Sequence, residues 1–212
     1  PQYLMRELGW RSPPDTRFLI DTGTSIAWAT HHLGLHDHQP SAGGWMRVTM
    51  NFASMGWAIG GAVGTALANR AVPVVCITGE ASIQMCIQEL STCKQYNLPI
   101  KIVNLNNRYM GMVRQWQEFF YESRYSHSYM DALPDFIKIA EAYGHVGMKI
   151  EKPGDVEGAL KEAFKLKDRL VFMDFITDQS ENVYPMIAAG KGQHEMHLSP
   201  CQQGVDVDRE LA

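Results

Sequence analysis

Cysteine is scarce in this chain: Cys76, Cys86, Cys93 and Cys201 are the only four among 212 residues. None forms a C-x-x-C pair, so neither a zinc ribbon nor a redox dithiol is expected, and a reducing compartment fits best. Long apolar runs are missing as well. No stretch approaches the roughly 18 apolar residues of a membrane span, and Pro1-Gln2-Tyr3 does not open the basic-then-apolar pattern of a signal peptide. Charge of one sign is not in excess either: 19 Lys and Arg face 23 Asp and Glu, a formal net charge of −4 that sets up no field for nucleic acid or an anionic membrane. The expected partner is a small molecule or another protein, and the expected location is the cytoplasm, or an organelle reached with a transit peptide since removed. A start at Pro1 rather than Met is expected of a fragment or a processed chain. Internal repeats, a Walker A loop, a nucleophile elbow and a G-x-G-x-x-G loop after a strand are all absent.

What is present suits one large domain with a real core, since 45% of residues are hydrophobic and 20% charged. Short β-branched runs at 18–21, 74–78, 100–105, 145–150 and 170–176 alternate with stretches of helical period at 24–33, 54–69, 82–96, 134–143 and 155–166. That alternation predicts an α/β fold, a doubly wound parallel sheet with helices on both faces, over residues 1–177. Residues 178–212 lack a period and read as a C-terminal tail, and 34–51 also lack one. Ser82 is the expected N-cap of the helix that carries Ile83, Cys86, Ile87 and Leu90 on one face. Gly56, Gly60, Gly61 and Gly64 suggest close packing of the preceding helix.

In an open parallel sheet the ligand crevice lies beyond the carboxyl ends of the strands. The turns at 21–25, 78–82 and 104–111 are therefore where chemistry is expected. The sharpest signal is Thr78-Gly79-Glu80-Ala81-Ser82 after one strand and Asn104-Leu105-Asn106-Asn107 ending the next. Together they offer an acidic side chain, a helix N-terminus and an amide oxygen, the combination that binds a divalent cation with a diphosphate. The same residues also suit a plain tight turn with a polar strand end.

The stretch from about residue 74 to 200 resembles the C-terminal, diphosphate-binding domain of the thiamine-diphosphate enzymes, specifically the acetolactate (acetohydroxyacid) synthase catalytic subunits. The resemblance rests on Gly79-Glu80-Ala81-Ser82-Ile83-Gln84-Met85, Leu105-Asn106-Asn107-Arg108-Tyr109-Met110-Gly111-Met112-Val113-Arg114-Gln115-Trp116, Phe119-Phe120-Tyr121, Arg124-Tyr125-Ser126-His127, Pro134-Asp135-Phe136 and Val183-Tyr184-Pro185-Met186. Upstream, Asp21-Thr22-Gly23-Thr24-Ser25 and Ala53-Ser54-Met55-Gly56 occupy the places of the family's first diphosphate turn and its aminopyrimidine turn. The resemblance implies thiamine diphosphate and Mg²⁺ as cofactors, with Glu80, Asn107 and the Tyr109 carbonyl on the metal. It places Gly23, Thr24, Ser25, Gly79, Ala81, Ser82, Gly111 and Met112 along the diphosphate, and Ala53 and Met55 against the aminopyrimidine. Met112, Val113 and Trp116 would face the substrate pocket. The implied reaction decarboxylates pyruvate and transfers the two-carbon unit to a second 2-oxoacid.

Two departures stand out. The family has Asp where this chain has Glu80, and the extra methylene moves the carboxylate by about 1.5 Å while Mg²⁺ demands ligands at about 2.0–2.1 Å. Three readings stay open: ligation after a shift of the turn, preference for a larger ion, or a weakened site. The family's activating glutamate, moreover, sits on a pyrimidine-binding domain of a neighbouring subunit, and nothing promotes Glu89, Glu118 or Glu122 to that role. The chain is thus expected to bind cofactor within a homo- or hetero-oligomer, alongside a pyrimidine-binding domain or subunit and a possible regulatory subunit, and not to turn over alone. Alternatives are a subunit of another thiamine-diphosphate-dependent 2-oxoacid decarboxylase or acyltransferase, and a non-catalytic domain with an impaired metal site.

Two rival motifs carry less. Asp21-Thr22-Gly23 after Phe18-Leu19-Ile20 resembles an aspartic-protease signature, but that chemistry needs two such carboxylates on an all-β frame, and one copy sits here among helices. His31, His32, His36 and His38 with Asp37 form a histidine cluster, which reads as surface residues near a helix end because Gly34 interrupts the helix.

Overall fold

The computed structural model describes residues 1–34 and 45–199. His36, Asp37, His38, Pro200 and Cys201 lie outside the described residues. The chain separates into two units, Pro1–Gln179 and Ser180–Ala212. The first contains α1 (Gln2–Arg11), β1 (Arg17–Ile20), α2 (Thr24–His32), β2 (Met46–Val48), α3 (Trp57–Ala68), β3 (Val74–Gly79), α4 (Glu80–Met85), α5 (Glu89–Gln95), β4 (Lys101–Asn106), α6 (Gly111–Phe120), α7 (Phe136–Ala142), β5 (Val146–Ile150), α8 (Pro153–Lys165) and β6 (Val171–Ile176). Among the described residues the strands form one sheet, ordered β2-β1-β3-β4-β6-β5, and every pairing is parallel. The α/β fold expected from the alternation is the fold observed. In the second unit, Met186 and His197 form an antiparallel bridge, and the stretch between them contains a 3-10 turn, Gln193–Glu195.

Because side chains alternate across a strand, register decides what each face carries. Leu19, Cys76, Ile102 and Phe172 stand in line across β1, β3, β4 and β6, all buried. Helix α3 adds Ala58, Ile59, Ala62, Val63 and Ala66 to this layer, the i, i+1, i+4, i+5, i+8 set of a single helical face. Leu90 and Cys93 of α5 and Phe136 of α7 complete it, with the Phe136 and Phe172 rings stacked at 5.8 Å. Phe18, Ile20, Val75, Ile77, Val103 and Met173 point the other way and are equally buried. On that side α2 meets β1 and β3, α8 meets β5, and α1 packs across α2 and α8.

Two residues further along each strand, the apolar row gives way to Asp21, Thr78, Asn104 and Asp174, all buried. This polar row lies at the carboxyl ends of the strands and seals the core beneath the crevice. The Asn104 amide donates to Asp174 Oδ1 at 2.8 Å, and Asn106 donates to both Asp174 oxygens at 3.2 Å.

Several local expectations are corrected. The helix at 82–96 is two helices, α4 and α5, broken at Cys86, where φ is −135° and the helical ladder stops. It also starts at Glu80, so Gly79 rather than Ser82 is its cap, and Ser82 is buried inside the first turn. Gly60 and Gly64 face open space rather than a packed neighbour, whereas Gly61, with Leu19 and Trp57 atoms 3.4 Å from its Cβ position, and Gly56, the cap of α3, do meet one. No helix among the described residues is long and apolar enough to cross a membrane.

Candidate functional site

Three chain reversals at the carboxyl edge converge on one cavity of about 410 Å³. The turn after β1 contributes Gly23, Thr24 and Ser25, the turn after β3 contributes Gly79, Glu80, Ala81 and Ser82, and the loop after β4 contributes Asn107, Tyr109, Gly111, Met112 and Val113. Ala53 and Met55, from the approach to α3, line the same space. Thr22, Leu105 and Met110 also line it; each stands inside a motif quoted from the sequence but was given no role there. Trp116 lies outside. It is half-exposed on α6, one turn beyond Val113, in a shallower hollow of about 320 Å³ shared with Met112, Val113, Gln117 and Tyr121.

The convergence is tight. A Cβ built on Gly111 would stand 2.9 Å from Thr24 Oγ1, so the first turns of α2 and α6 touch, and one on Gly79 would stand 4.0 Å from Ser25 Oγ. Neither α2, capped by Gly23, nor α6, capped by Met110, has a side-chain capping bond, whereas the Asp135 carboxylate caps α7 by accepting from the Ile137 and Lys138 amides. Uncapped helix starts leave N–H donors and the positive end of the helix dipole free for an anion. Gly23, at φ +94°, has nothing within 4 Å of its Cβ position, so the cavity wall there is bare backbone. Ala53 (φ +47°) and Arg108 (φ +62°) hold left-handed conformations that non-glycine residues seldom adopt, and both flank the cavity.

Glu80 is the electrostatic centre. It is 2% exposed, and its Oε1 is a buried acceptor without a hydrogen-bond partner. Burial pushes its carboxyl up to about 7, against the pull of backbone amides at Glu80, Tyr109 and Arg108, with buried Asp174 adding to the rise. An orphaned, desolvated carboxylate oxygen is a costly arrangement that a cation relieves. Asn107 accepts the Tyr109 N–H at 3.0 Å through Oδ1, which draws the loop into a turn, and a carbonyl oxygen retains a second lone pair. Glu80, Asn107 and the Tyr109 carbonyl could together offer an all-oxygen donor set of the kind a hard divalent ion takes. Among the described residues no three His, Cys, Asp or Glu side chains cluster as a metal group, here or elsewhere.

Asp21 braces this edge rather than facing the cavity. It is fully buried; Oδ1 accepts from the Thr22 and Gly56 amides at 3.0 Å each, and Oδ2 accepts from the Thr78 hydroxyl at 3.0 Å. A sealed carboxylate among parallel strands has no place in protease chemistry. Its bond to Gly56 fixes the turn that carries Ala53 and Met55. Gly56 itself sits at φ +85°, and a Cβ there would lie 2.9 Å from Met85 Cβ and 3.2 Å from the Ser82 carbonyl. Gly56→Ala is therefore expected to cost about 3 kcal/mol, from a left-handed penalty plus overpacking, and a denaturant midpoint measures it. Of the histidine cluster, His31 and His32 end α2 with their rings edge to face.

Comparison with known proteins converges on one family. The model described as thiamine pyrophosphate enzyme, C-terminal TPP binding domain, matches residues 21–175. The chain is similar to the acetolactate synthase large subunit of Haemophilus influenzae, 51% identical over 150 residues, which is 71% of this chain and 26% of that protein. It is 52% identical over 152 residues to the acetolactate synthase isozyme 3 large subunit of Escherichia coli, again 71% of this chain and 26% of the relative. With the acetolactate synthase large subunit of Porphyra purpurea it shares 40% identity over 184 residues, 86% of this chain and 30% of the relative. The matched segment spans 26% to 30% of the length of these curated relatives.

Proposed function

We propose, from the premise that this chain belongs to the thiamine pyrophosphate enzymes as a C-terminal TPP-binding domain, that it is the diphosphate- and Mg²⁺-binding part of an acetolactate synthase-like carboligase. The observation that carries this reading is the single cavity into which three sheet-edge turns bring two uncapped helix starts and an unpartnered buried carboxylate oxygen. Thiamine diphosphate, when bound, supplies the electron sink for cleaving a 2-oxoacid next to its carbonyl. The protein's own part is binding and orientation. The first-turn amides of α2 and α6 would hold the diphosphate, and Glu80, Asn107 and the Tyr109 carbonyl would hold Mg²⁺ between it and the protein. Ala53 and Met55 would orient the aminopyrimidine, while Met112, Val113 and Trp116 would exclude water and shape the room for the acceptor.

The remaining length of the relatives would supply the pyrimidine-binding domain, from the same polypeptide or from a partner in a homo- or hetero-oligomer. A regulatory subunit would be a further partner of that assembly. Free thiols at Cys76, Cys86 and Cys93 suit a reducing compartment such as the cytoplasm. The second reading, a domain whose metal site has changed, draws support from Glu80 itself, whose side chain is one methylene longer than the Asp of the family pattern while Mg²⁺ demands ligands at about 2.0–2.1 Å.

Calorimetric titration with thiamine diphosphate, in Mg²⁺, in Ca²⁺ and without metal, separates the two. Binding that needs Mg²⁺ supports the carboligase part. Binding only with Ca²⁺, or none under any condition with the chain folded by circular dichroism, supports the altered site and overturns the carboligase part. Product analysis after reconstitution with the pyrimidine-binding part then distinguishes carboligation from simple decarboxylation or acyl transfer.

A further inference from the structure

The loop that carries Asn107 and Tyr109 is fastened from outside the cavity. Met110 N–H donates to the Ser128 carbonyl and Met130 N–H to the Arg108 carbonyl, both at 2.8 Å, so Tyr109 and Tyr129 pair as an isolated antiparallel bridge. Helix α6 secures the far side of that bridge: Gln117 Oε1 accepts from Ser128 Oγ at 2.7 Å, and Gln117 Nε2 donates to the Ser126 carbonyl at 2.9 Å.

A stack of side chains runs through the same place. The Arg114 guanidinium lies 5.4 Å from the centre of the Tyr109 ring and 5.3 Å from that of Tyr125. Its NH2 group pairs with Glu118 Oε2 at 2.9 Å, and the Tyr125 hydroxyl donates to the same oxygen at 3.1 Å. Beyond Tyr109 the stack continues to Tyr129, ring centres 4.9 Å apart, and ends with Arg108, 5.4 Å from the Tyr129 ring. Arg114 is 9% exposed, so this cation is largely desolvated, where its attraction to aromatic faces and to a carboxylate is strongest. A planar guanidinium can bond Glu118 in its own plane while lying between two rings; an ammonium cannot.

Tyr109 is gripped by its ring, and its backbone is the segment offered to the metal. We propose that Arg114 is a positioning residue: clamped between Tyr109 and Tyr125 and tied to Glu118, it sets the 107–110 loop, and through that loop the affinity for the divalent ion. The proposal deepens the cofactor reading above and rests on it. Residues that orient metal ligands from behind typically govern 10–100-fold in affinity.

The test uses the whole chain with thiamine diphosphate and Mn²⁺ as the probe, free Mn²⁺ being followed by electron paramagnetic resonance. Arg114→Met is expected to weaken Mn²⁺ binding about tenfold or more, with Arg114→Lys between it and the wild type. In the metal-free chain, Arg114→Met should also speed hydrogen exchange at the Met110 and Met130 amides about tenfold or more while amides of β3 keep their rates, because only the loop is released. Tyr125→Leu, at a surface ring, removes one jaw of the clamp without burying anything new and should weaken Mn²⁺ several-fold. Unchanged Mn²⁺ affinity in both Arg114→Met and Tyr125→Leu, with the wild type binding normally, overturns the proposal. Uniformly faster exchange across β3 as well would reduce Arg114 to general stability and overturn it too. If the wild type itself binds no Mn²⁺, the cofactor reading fails and takes the positioning role with it, an outcome distinct from the other two.

Discussion

Without divalent metal, Glu80→Gln is expected to become progressively more stable than the wild-type chain as pH rises from about 4.5 to above 7. The carboxyl ordinarily titrates at 4.5 and is raised to about 7 in the fold, chiefly by burial. In the unfolded chain Glu80 ionises first, so folding stability is fully present below 4.5 and is lost as pH climbs through 7. At 1.36 kcal/mol per pKa unit the loss amounts to about 3 kcal/mol, and glutamine does not incur it. Urea unfolding of both proteins at pH 4, 6 and 8 measures it as the change in their difference, which cancels any fixed effect of the amide. A difference independent of pH would mean that the buried oxygen is already relieved in the metal-free protein. Adding Mg²⁺ with thiamine diphosphate should shrink the gap at pH 8, because a bound cation favours the ionised form; binding at pH 6 should release up to one proton.

Asp21→Ala is expected to destabilise the chain by about 3–5 kcal/mol. Removing the carboxylate leaves the Thr22 and Gly56 amides and the Thr78 hydroxyl without their acceptor in a buried place, and each abandoned donor costs about 1–3 kcal/mol, less what a trapped water recovers. For a chain of this size that is a fall of roughly 6–20 °C in Tm. Asp21→Asn keeps an acceptor oxygen and should cost about 1 kcal/mol. Burial raises the Asp21 carboxyl, against the pull of its donors, so losing its charge alone carries little penalty. Equal losses for Ala and Asn would show that charge, not acceptor geometry, is what the edge requires. The Ala variant should bind thiamine diphosphate poorly even where it is folded, since Gly56 then lets go of the turn bearing Ala53 and Met55.

The strands and the cavity were legible in different ways, while the order of the strands in the sheet was not. The β3 and β4 runs declared themselves because central parallel strands are apolar on both faces, and the polar residues at their ends, Thr78 and Asn104, marked where the core stops. The residues named for the cofactor line one cavity because they sit at strand ends that register brings side by side; the pattern placed the turns, and pleating placed the side chains. The break at Cys86 was not legible, since Ile83, Ile87 and Leu90 keep helical spacing straight across it and remain packed on the core. Strand β2 was missed because three residues, with Arg47 exposed at the sheet edge, show no alternation to read. Helix α6 had a signal in Met112, Val113, Trp116 and Phe120 at i, i+1, i+4 and i+8, but that apolar face is turned outward rather than into the core. Helix α1 carries Leu4, Met5 and Leu8 at helical spacing too, hidden by a run too short to stand alone in water. The clamp around Arg114 could not be read from sequence at all: Tyr109, Arg114 and Tyr125 become neighbours only through the loop that reverses after α6.

The order of strands in the sheet also sets a timetable for biosynthesis. Strand β4 is flanked by β3 and β6, and Asn104 and Asp174, partners across the second of these borders, are 70 residues apart in the chain. At a translation rate of about 5–20 residues per second, roughly 4–14 s pass between the emergence of the two. Through that interval β1, β3 and β4 can pair while the far edge of β4, with Ile102, Val103 and Leu105, stands open on the nascent chain. Parallel edges of this kind are slow to close and prone to pair with the wrong neighbour. This half-sheet, rather than the finished cavity, is what a ribosome-bound chaperone would meet.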